Sequence, residues 1–170
     1  MSDHSEAGGR RTALDREDLP GVVVAVVLVN AVGALPAALG GPDSAWFQSL
    51  AKPALYPPPW VFGVVWPLLF TLLGVAVYLV WREGQTTPRR GVAIRLFVAQ
   101  MAVNLAWTPT FFTAQDLTVA LAVVVGLWLA LVPTLWAFWR VDRRAGGLLV
   151  PYLLWVSFAV VLNYQFVVVN

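Results

Sequence analysis

The sequence predicts an all-α membrane protein built as a bundle of five transmembrane helices. Of its 170 residues, 59% are hydrophobic and only 12% are charged, whereas a soluble domain contains about 25% charged residues. Five separate stretches reach the roughly 20 apolar residues that a helix needs to cross the hydrocarbon core of a bilayer. None of these five stretches contains Asp, Glu or Lys. Lipid is therefore the expected surroundings of most of the chain.

Residues 1–18 differ from the rest because they are polar and charged, and we expect them to form a disordered tail. Arg10 and Arg11 precede an apolar run, as in a twin-arginine export signal. Charged residues at 15–18 separate the pair from that run, and the run is longer than the core of a signal peptide. We therefore expect a retained tail, followed by a transmembrane domain over residues 19–170.

The apolar stretches and their flanks define the five spans. Prolines open the second span, where the first helical turn accommodates them because its N–H groups have no intrahelical partner. Arg95 lies one turn from the start of the third span, and its long side chain can extend to the membrane surface. The predicted spans are residues 19–39, 59–81, 92–112, 117–139 and 148–169.

The Lys and Arg residues are distributed unevenly between the two sides that these spans predict. Ten of the 11 lie in the tail, in the second and fourth loops or beside them, and only Lys52 lies on the other side. Because cytoplasmic loops are enriched in Lys and Arg, we predict a cytoplasmic N-terminus and an external C-terminus. The predicted aromatic belts are Trp81, Trp136 and Trp139 on the inner side and Trp46 and Trp60 on the outer side.

The first loop, residues 40–58, is the only long loop, and it lies on the predicted outer side. Asp43 or Ser44 can cap a short helical turn, and the proline run at 57–59 stiffens the chain behind it. Such a turn would present apolar side chains on a rigid support, and we call residues 40–58 the lid loop. The apolar side chains placed on one side of the turn are Trp46, Phe47 and Leu50.

Lys52 is the one cation of this loop, and three roles are open to it. Its ammonium group could meet a carboxylate of a ligand, extend to a lipid phosphate, or cap a backbone carbonyl group. We favour the lipid phosphate or the backbone carbonyl group over the ligand carboxylate.

Polar side chains inside the spans are few. Gln100, Asn104 and Trp107 stand at i, i+4 and i+7 and therefore share one face of the third span. They can orient a ligand, or they can join helices through hydrogen bonds that each contribute about 0.6 kcal/mol. For Asn30 in the first span, we favour the interhelical role. Asn163, in the outer half of the fifth span, can have either role.

Three tryptophans, Trp66, Trp107 and Trp155, lie too deep to belong to an aromatic belt. A buried indole N–H needs an acceptor, and Gln100 or Asn104 could supply it. The deep indoles either pack the core or form a stacking wall for a planar aromatic ligand.

On the second span, Phe62, Trp66 and Phe70 form one stripe at four-residue spacing. Such a stripe usually packs the core. Prolines inside the spans bend helices and leave space between them, which keeps a ligand pocket beside the stripe open as an alternative. These prolines are Pro67, Pro109, Pro133 and Pro151.

Several classes of function lack the residues they need. The only histidine, His4, is in the tail, so no span offers an axial haem ligand. The chain has no cysteine, no Ser-His-Asp set and no acidic relay for protons. Its arginines are explained by topology, which leaves nucleic-acid binding without support. We expect no required cofactor and no metal.

Three ordered motifs resemble those of the TspO/MBR family, the tryptophan-rich sensory or translocator proteins, over residues 30–170. They are Trp46-x-x-x-Leu50-x-Lys52-Pro53-x-x-x-Pro57-Pro58 with Trp60-Val61-Phe62, Val65-Trp66 and Gly74; Gln100-x-x-x-Asn104-x-x-Trp107 with Phe111-Phe112; and Pro151-Tyr152-x-x-Trp155-x-x-Phe158-Ala159-x-x-Leu162-Asn163. The resemblance implies a five-helix bundle, commonly dimeric. It also implies an outer-side pocket for porphyrins such as protoporphyrin IX and for benzodiazepine-type ligands.

With this resemblance, we expect an integral protein of a prokaryotic cell membrane that binds a tetrapyrrole in a sensory, regulatory or translocator role. The expected partners are lipid and a second copy of the chain. An alternative is an enzyme that degrades porphyrin with light and oxygen, since the resemblance ties Trp66 and Trp155 to that reaction; another is a small transporter subunit. The expected ligand-binding residues are Trp46, Lys52, Phe62, Trp66, Phe70, Gln100, Asn104, Trp107, Trp155 and Ala159.

The sequence also departs from the family pattern. Leu55 stands where the family usually has Trp, and Phe70 replaces a common Tyr. Tyr164 is not followed by the Lys or Arg that the sterol motif of animal members requires, so we do not expect sterol binding by that route.

Overall fold

The computed structural model describes residues 15–83 and 88–170, and the regular structure in these ranges is helical. Short 3-10 turns precede α1 (Arg16–Asp18) and extend it (Leu35–Leu39), and a π-helical turn (Pro109–Thr113) extends α4. With these turns, five helices are long and apolar enough to cross a membrane, as predicted. The helices are α1 (Leu19–Ala34), α2 (Ala45–Ser49), α3 (Pro59–Arg82), α4 (Pro88–Thr108), α5 (Leu117–Val141) and α6 (Arg143–Val169).

The boundaries differ most from the prediction between α5 and α6. The fifth span starts at Arg143 rather than at residue 148, and only Asp142 separates it from α5. Asp142 has an extended backbone, and its carboxylate accepts a hydrogen bond of 2.7 Å from the Arg144 N–H. This N-cap starts α6 early because it satisfies an otherwise unpaired donor of the first turn.

The spans pack as a chain of neighbours. α1 packs on α3, α3 on α6, α6 on α5 and α5 on α4, while α3 also contacts α4 and α5. The turn Leu35–Leu39 closes this arrangement by contacting α4 and the π-helical turn. α1 therefore lies at the edge of the bundle and exposes a run of valines to the surroundings, including Val23, Val24 and Val27.

Glycines allow α1 and α3 to approach closely. A Cβ atom on Gly74 of α3 would lie 2.5 Å from the Cα atom of Val26, and one on Gly33 of α1 would lie 2.4 Å from the Phe70 ring. Beside these contacts, Asn30 donates a hydrogen bond of 3.2 Å to the Thr71 hydroxyl. This bond agrees with the interhelical role expected for Asn30.

An ion pair fixes the other end of the α1–α3 interface. Asp18 pairs with Arg82 at 2.8 Å and accepts a hydrogen bond of 2.7 Å from the Tyr78 hydroxyl. The sequence placed Asp18 in a disordered tail, but it is only 7% exposed. The correction has a simple cause: Arg82 supplies the opposite charge that makes burial of a carboxylate tolerable. Residues 1–14 of that tail lie outside the described residues.

Tryptophan exposure follows the predicted belts with one exception. Trp60, Trp81, Trp136 and Trp139 are exposed. At the arginine-rich end, the guanidinium groups of Arg90 and Arg140 lie over the rings of Trp81 and Trp136, at 5.6 and 4.9 Å from the ring centroids. Trp46 is the exception, because it is half-buried against Phe111.

Candidate functional site

The lid loop contains the short helix α2, which begins as predicted. Ser44, rather than Asp43, caps α2 by accepting a hydrogen bond of 3.3 Å from the Phe47 N–H. Phe47 is 4% exposed, and Trp46 and Leu50 are half-buried beside it. The Phe47 ring contacts four other rings, with centroid distances between 5.4 and 6.0 Å: Tyr56, Phe111, Phe112 and Phe166.

Lys52 is engaged within the lid loop itself. Its ammonium group donates hydrogen bonds to the backbone oxygens of Phe47 and Leu50 and lies 4.1 Å from the centroid of the Phe47 ring. Desolvation lowers the pKa of Lys52 from its ordinary value of 10.5. Of the three roles left open by the sequence, the capping of backbone carbonyl groups is the one that this geometry realises.

The π-helical turn at the end of α4 supports the lid loop. A π-helical turn changes the direction in which successive side chains point, and such turns are frequent at functional sites. Here Phe111 is buried and Phe112 half-buried, and both rings contact Phe47 and Trp107. An aromatic layer thus connects α2 to α4.

Below this layer, a polar cluster joins α4 to α6. The Asn104 amide donates a hydrogen bond to the Tyr152 hydroxyl, and that hydroxyl donates a longer one of 3.4 Å to Gln100 Oε1. Gln100 and Tyr152 are fully buried. The sequence correctly placed Gln100 and Asn104 on one face but missed Tyr152 as a member of the site. The feature that could have identified Tyr152 is its hydroxyl group inside an apolar span, within the third motif quoted above.

Gln100 has an unsatisfied donor in this cluster. Its Nε2 atom is buried and has no hydrogen-bond partner. Whichever way the carboxamide is turned about its last bond, one of its two polar atoms lacks a partner. Native structures leave few such groups without a partner in the protein, in ordered water or in a ligand.

Trp107 finds its acceptor on a different helix from the one predicted. Its indole N–H donates to Asn163 Oδ1 at 2.9 Å, rather than to Gln100 or Asn104, and the Asn163 amide donates to the Leu117 backbone oxygen at 3.2 Å. The prediction was wrong because Trp107 lies three residues nearer the end of α4 than Asn104 and is turned toward the C-terminal part of α6. Asn163 therefore joins α6 to α4 and to the start of α5.

The aromatic stripe of α3 faces α6. Trp66 lies 5.4 Å from Phe70 and 6.4 Å from Tyr152, measured between ring centroids. One turn closer to the lid loop, Phe62 lies 5.9 Å from Trp155. Phe70 is buried in the α1–α3 interface, whereas Phe62, Trp66, Trp155 and Ala159 are half-buried.

A chain of ring contacts connects the lid loop to this stripe. Tyr56 lies 5.9 Å from both Phe47 and Phe62, and Phe62 continues to Trp155 and then Phe158. Desolvation raises the pKa of Tyr56 above its ordinary value of 10.0, so its phenol is neutral at physiological pH. The predicted site residues thus form three adjoining groups: the lid loop with Trp107, the Phe62–Trp155 pair, and Trp66 with the polar cluster.

Apart from the Lys52 ammonium group, the predicted site residues offer neutral polar and aromatic contacts. Within the described ranges, no group of three or more His, Asp and Glu side chains is close enough to hold a metal ion. The amide and hydroxyl groups of Gln100, Asn104 and Tyr152 can donate or accept hydrogen bonds, and the indoles offer flat apolar faces. Such an arrangement suits a flat ligand with a few acceptor atoms.

Comparisons with known proteins agree on one family. Residues 23–169 match the model of the TspO/MBR family. The chain is 42% identical over 129 residues to a tryptophan-rich sensory protein of Cereibacter sphaeroides. The matched segment covers 75% of this chain and 78% of the relative. It is 40% identical over 120 residues to the translocator protein of Homo sapiens, and the matched segment covers 70% of this chain and 71% of the relative. The tryptophan-rich protein TspO of Chlorobaculum tepidum is 40% identical over 129 residues, and the matched segment covers 76% of this chain and 82% of the relative.

Proposed function

Because the chain belongs to the TspO/MBR family, we propose that this integral membrane protein binds a porphyrin-type tetrapyrrole between α3, α4 and α6, beneath the lid loop. Protoporphyrin IX is the representative ligand. The binding serves a sensory, regulatory or translocator role. The sensory and translocator roles are supported by the names of two relatives, tryptophan-rich sensory protein and translocator protein.

The observation that carries the proposal is the unsatisfied Gln100 amide, which Tyr152 connects to Trp66 of the α3 stripe. A buried amide without a partner costs about 1–3 kcal/mol, and an acceptor atom of a bound ligand would remove that cost. Trp66 reaches the same cluster through its contact with Tyr152. A porphyrin combines a large apolar face for the indoles with nitrogen and carboxylate acceptors for the amide.

The proposal includes an orientation and a partner. The lid loop faces the exterior of a prokaryotic cell, and the arginine-rich end faces the cytoplasm, since Lys and Arg are enriched in cytoplasmic loops. A second copy of the chain completes a homodimer in the membrane. The tetrapyrrole is a ligand and not a required cofactor.

A titration of protoporphyrin IX into the protein in lipid nanodiscs tests the proposal through quenching of Trp fluorescence. We expect saturable quenching that a Trp66→Phe/Trp155→Phe variant reduces and that the control Trp136→Phe, at the exposed arginine-rich end, retains. Gln100→Met keeps the volume and removes the amide, and we expect it to weaken binding by about tenfold, the value of one buried hydrogen bond. Quenching that is absent, or equal in all variants, would refute the proposal.

A second candidate function is the oxidation of the bound porphyrin by oxygen in light. It is favoured by the placement of Trp66 and Trp155 on facing helices, each in ring contact with the opposite helix. Illumination of the complex in air should then give a new absorbing product, and Trp66→Phe should abolish it. Binding without a product leaves the sensor or translocator role, and net flux in proteoliposomes identifies the translocator.

A further inference from the structure

The side chain of Asn170 binds the backbone of the lid loop at both of its polar ends. Its Oδ1 atom accepts a hydrogen bond of 2.8 Å from the Ala51 N–H, and its Nδ2 atom donates one of 3.2 Å to the Ala51 backbone oxygen. The same Nδ2 atom donates to the Phe166 backbone oxygen at 3.1 Å. One carboxamide therefore ties the peptide groups of the lid loop to the end of α6.

The lid loop is cross-linked within itself. Gln48 donates a side-chain hydrogen bond of 2.6 Å to the Pro42 backbone oxygen, Ser49 donates one of 2.6 Å to that of Trp46, and Lys52 caps the end of α2. A segment with this many internal bonds moves as a unit. Its position over the bundle then depends on the contacts it makes outside itself.

Those outside contacts are of two kinds. Phe47 and Tyr56 pack their rings against Phe166 and the π-helical turn, and such apolar contacts are not directional. At the ends of the lid loop, the Thr113 hydroxyl bonds the Leu39 backbone oxygen and the Val61 N–H bonds the Pro58 backbone oxygen. Between these ends, the two bonds between Asn170 and Ala51 are the only hydrogen bonds to another part of the chain within residues 15–83 and 88–170.

We propose that Asn170 is a positioning residue that latches the lid loop closed and sets how fast a ligand enters and leaves the site beneath it. The second half of this proposal rests on the proposed function; the first half does not. Asn170 and Ala51 are both exposed, so water can replace their bonds when the loop lifts. The latch is therefore reversible, and it acts on the equilibrium between the closed and open loop.

The chemistry of the contact requires an amide. Ala51 presents one donor and one acceptor, and a carboxamide matches both. In Asn170→Asp, the carboxylate keeps the acceptor for the Ala51 N–H but loses both donated bonds and faces two backbone oxygens. Asn170→Ala loses all three bonds. We therefore expect the lid loop to open more often in Asn170→Ala than in Asn170→Asp, and more often in Asn170→Asp than in the natural chain.

The position of the lid loop can be measured without any ligand. The natural chain has no cysteine, so Ala45→Cys on α2 and Thr118→Cys on α5 give two unique sites for spin labels. Pulsed EPR distances in nanodiscs should show a second, longer population that grows by about fivefold to tenfold in Asn170→Ala and less in Asn170→Asp. Gln48→Ala, which breaks a bond inside the lid loop only, is the matched control and should keep the wild-type distribution.

The release of protoporphyrin IX, followed by stopped-flow fluorescence, tests the second half. We expect the dissociation rate to rise in the same order as the open population, with the melting temperature of the helical bundle unchanged. If Asn170→Ala leaves both the distances and the rate at wild-type values, the latch is refuted while the proposed function stands. If the distances change but no variant binds porphyrin, the latch stands and the proposed function fails.

Discussion

The Asn104 amide donates a hydrogen bond to the Tyr152 hydroxyl, and this contact joins α4 to α6 inside the bundle. The hydrogen bond from Trp107 to Asn163 also joins these two helices, and both of them pack on α5. Because the hydroxyl also donates to Gln100, one phenol organises both amides of the α4 face. The amides that the proposed ligand would meet are therefore held in place by a tyrosine on the opposite helix.

Removal of this hydroxyl should destabilise the protein. Tyr152→Phe keeps the ring but leaves the Asn104 donor without a partner in the apolar interior, and we expect a loss of about 1–2 kcal/mol in the free energy of unfolding. Equilibrium unfolding in mixed micelles containing SDS measures it. Tyr164→Phe is the control because that ring is exposed. Equal stability of the two variants would mean that the hydroxyl bonds contribute nothing.

The close approach of α1 and α3 should be sensitive to a single methyl group. A Cβ atom at Gly74 meets the backbone of Val26 at 2.5 Å, and backbone cannot move aside as a flexible side chain can. We expect Gly74→Ala to cost about 1–3 kcal/mol through overpacking, measured by the same unfolding assay.

Gly63→Ala provides the matched control on the same helix, because a Cβ atom there would meet nothing within 4 Å. Since alanine favours helices over glycine by about 1 kcal/mol, this variant should be neutral or more stable. A loss in Gly63→Ala as large as that in Gly74→Ala would show that steric contact is not the cause.

The ion pair at the arginine-rich end should matter more than the charges around it. In Asp18→Asn, the charge that pairs with Arg82 is removed, and one amide oxygen replaces the two carboxylate oxygens that accept from Arg82 and Tyr78. We expect a cost of about 1–3 kcal/mol in unfolding free energy. Glu17→Gln removes the neighbouring exposed charge and should change nothing measurable. If both variants unfold alike, net charge rather than the pairing of Asp18 governs stability.

Lys52 should act through the lid loop and not through a ligand carboxylate. Its ammonium group already serves the Phe47 and Leu50 carbonyl groups. We therefore expect Lys52→Met to weaken the binding of protoporphyrin IX and of its dimethyl ester by the same factor, about twofold to fivefold, the range of an exposed capping bond. Fluorescence titrations of both ligands decide this, and a loss confined to the free acid would restore the direct role.

The parts of the site that could be predicted depend on neighbours in sequence. A cap at Asp43 or Ser44 follows from the local preference for such residues at a helix start. The shared face of Gln100 and Asn104 follows from helical geometry, which places residues at fixed spacing on one side. The acceptor of Trp107 could not be predicted in this way. Asn163 lies 56 positions away, and its distance from the indole depends on how α4 and α6 are rotated and staggered.

Hydropathy and charge are properties of each segment, and they sum along the chain without reference to other segments. For this reason the number of membrane-spanning helices, their approximate bounds and the concentration of arginine at one end follow from the amino-acid order alone. Contacts between distant side chains depend on helix rotation, which hydropathy leaves free. The folded bundle was needed to show that Tyr152 completes the polar cluster, that Lys52 turns back onto its own loop, and that Asp18 is buried against Arg82.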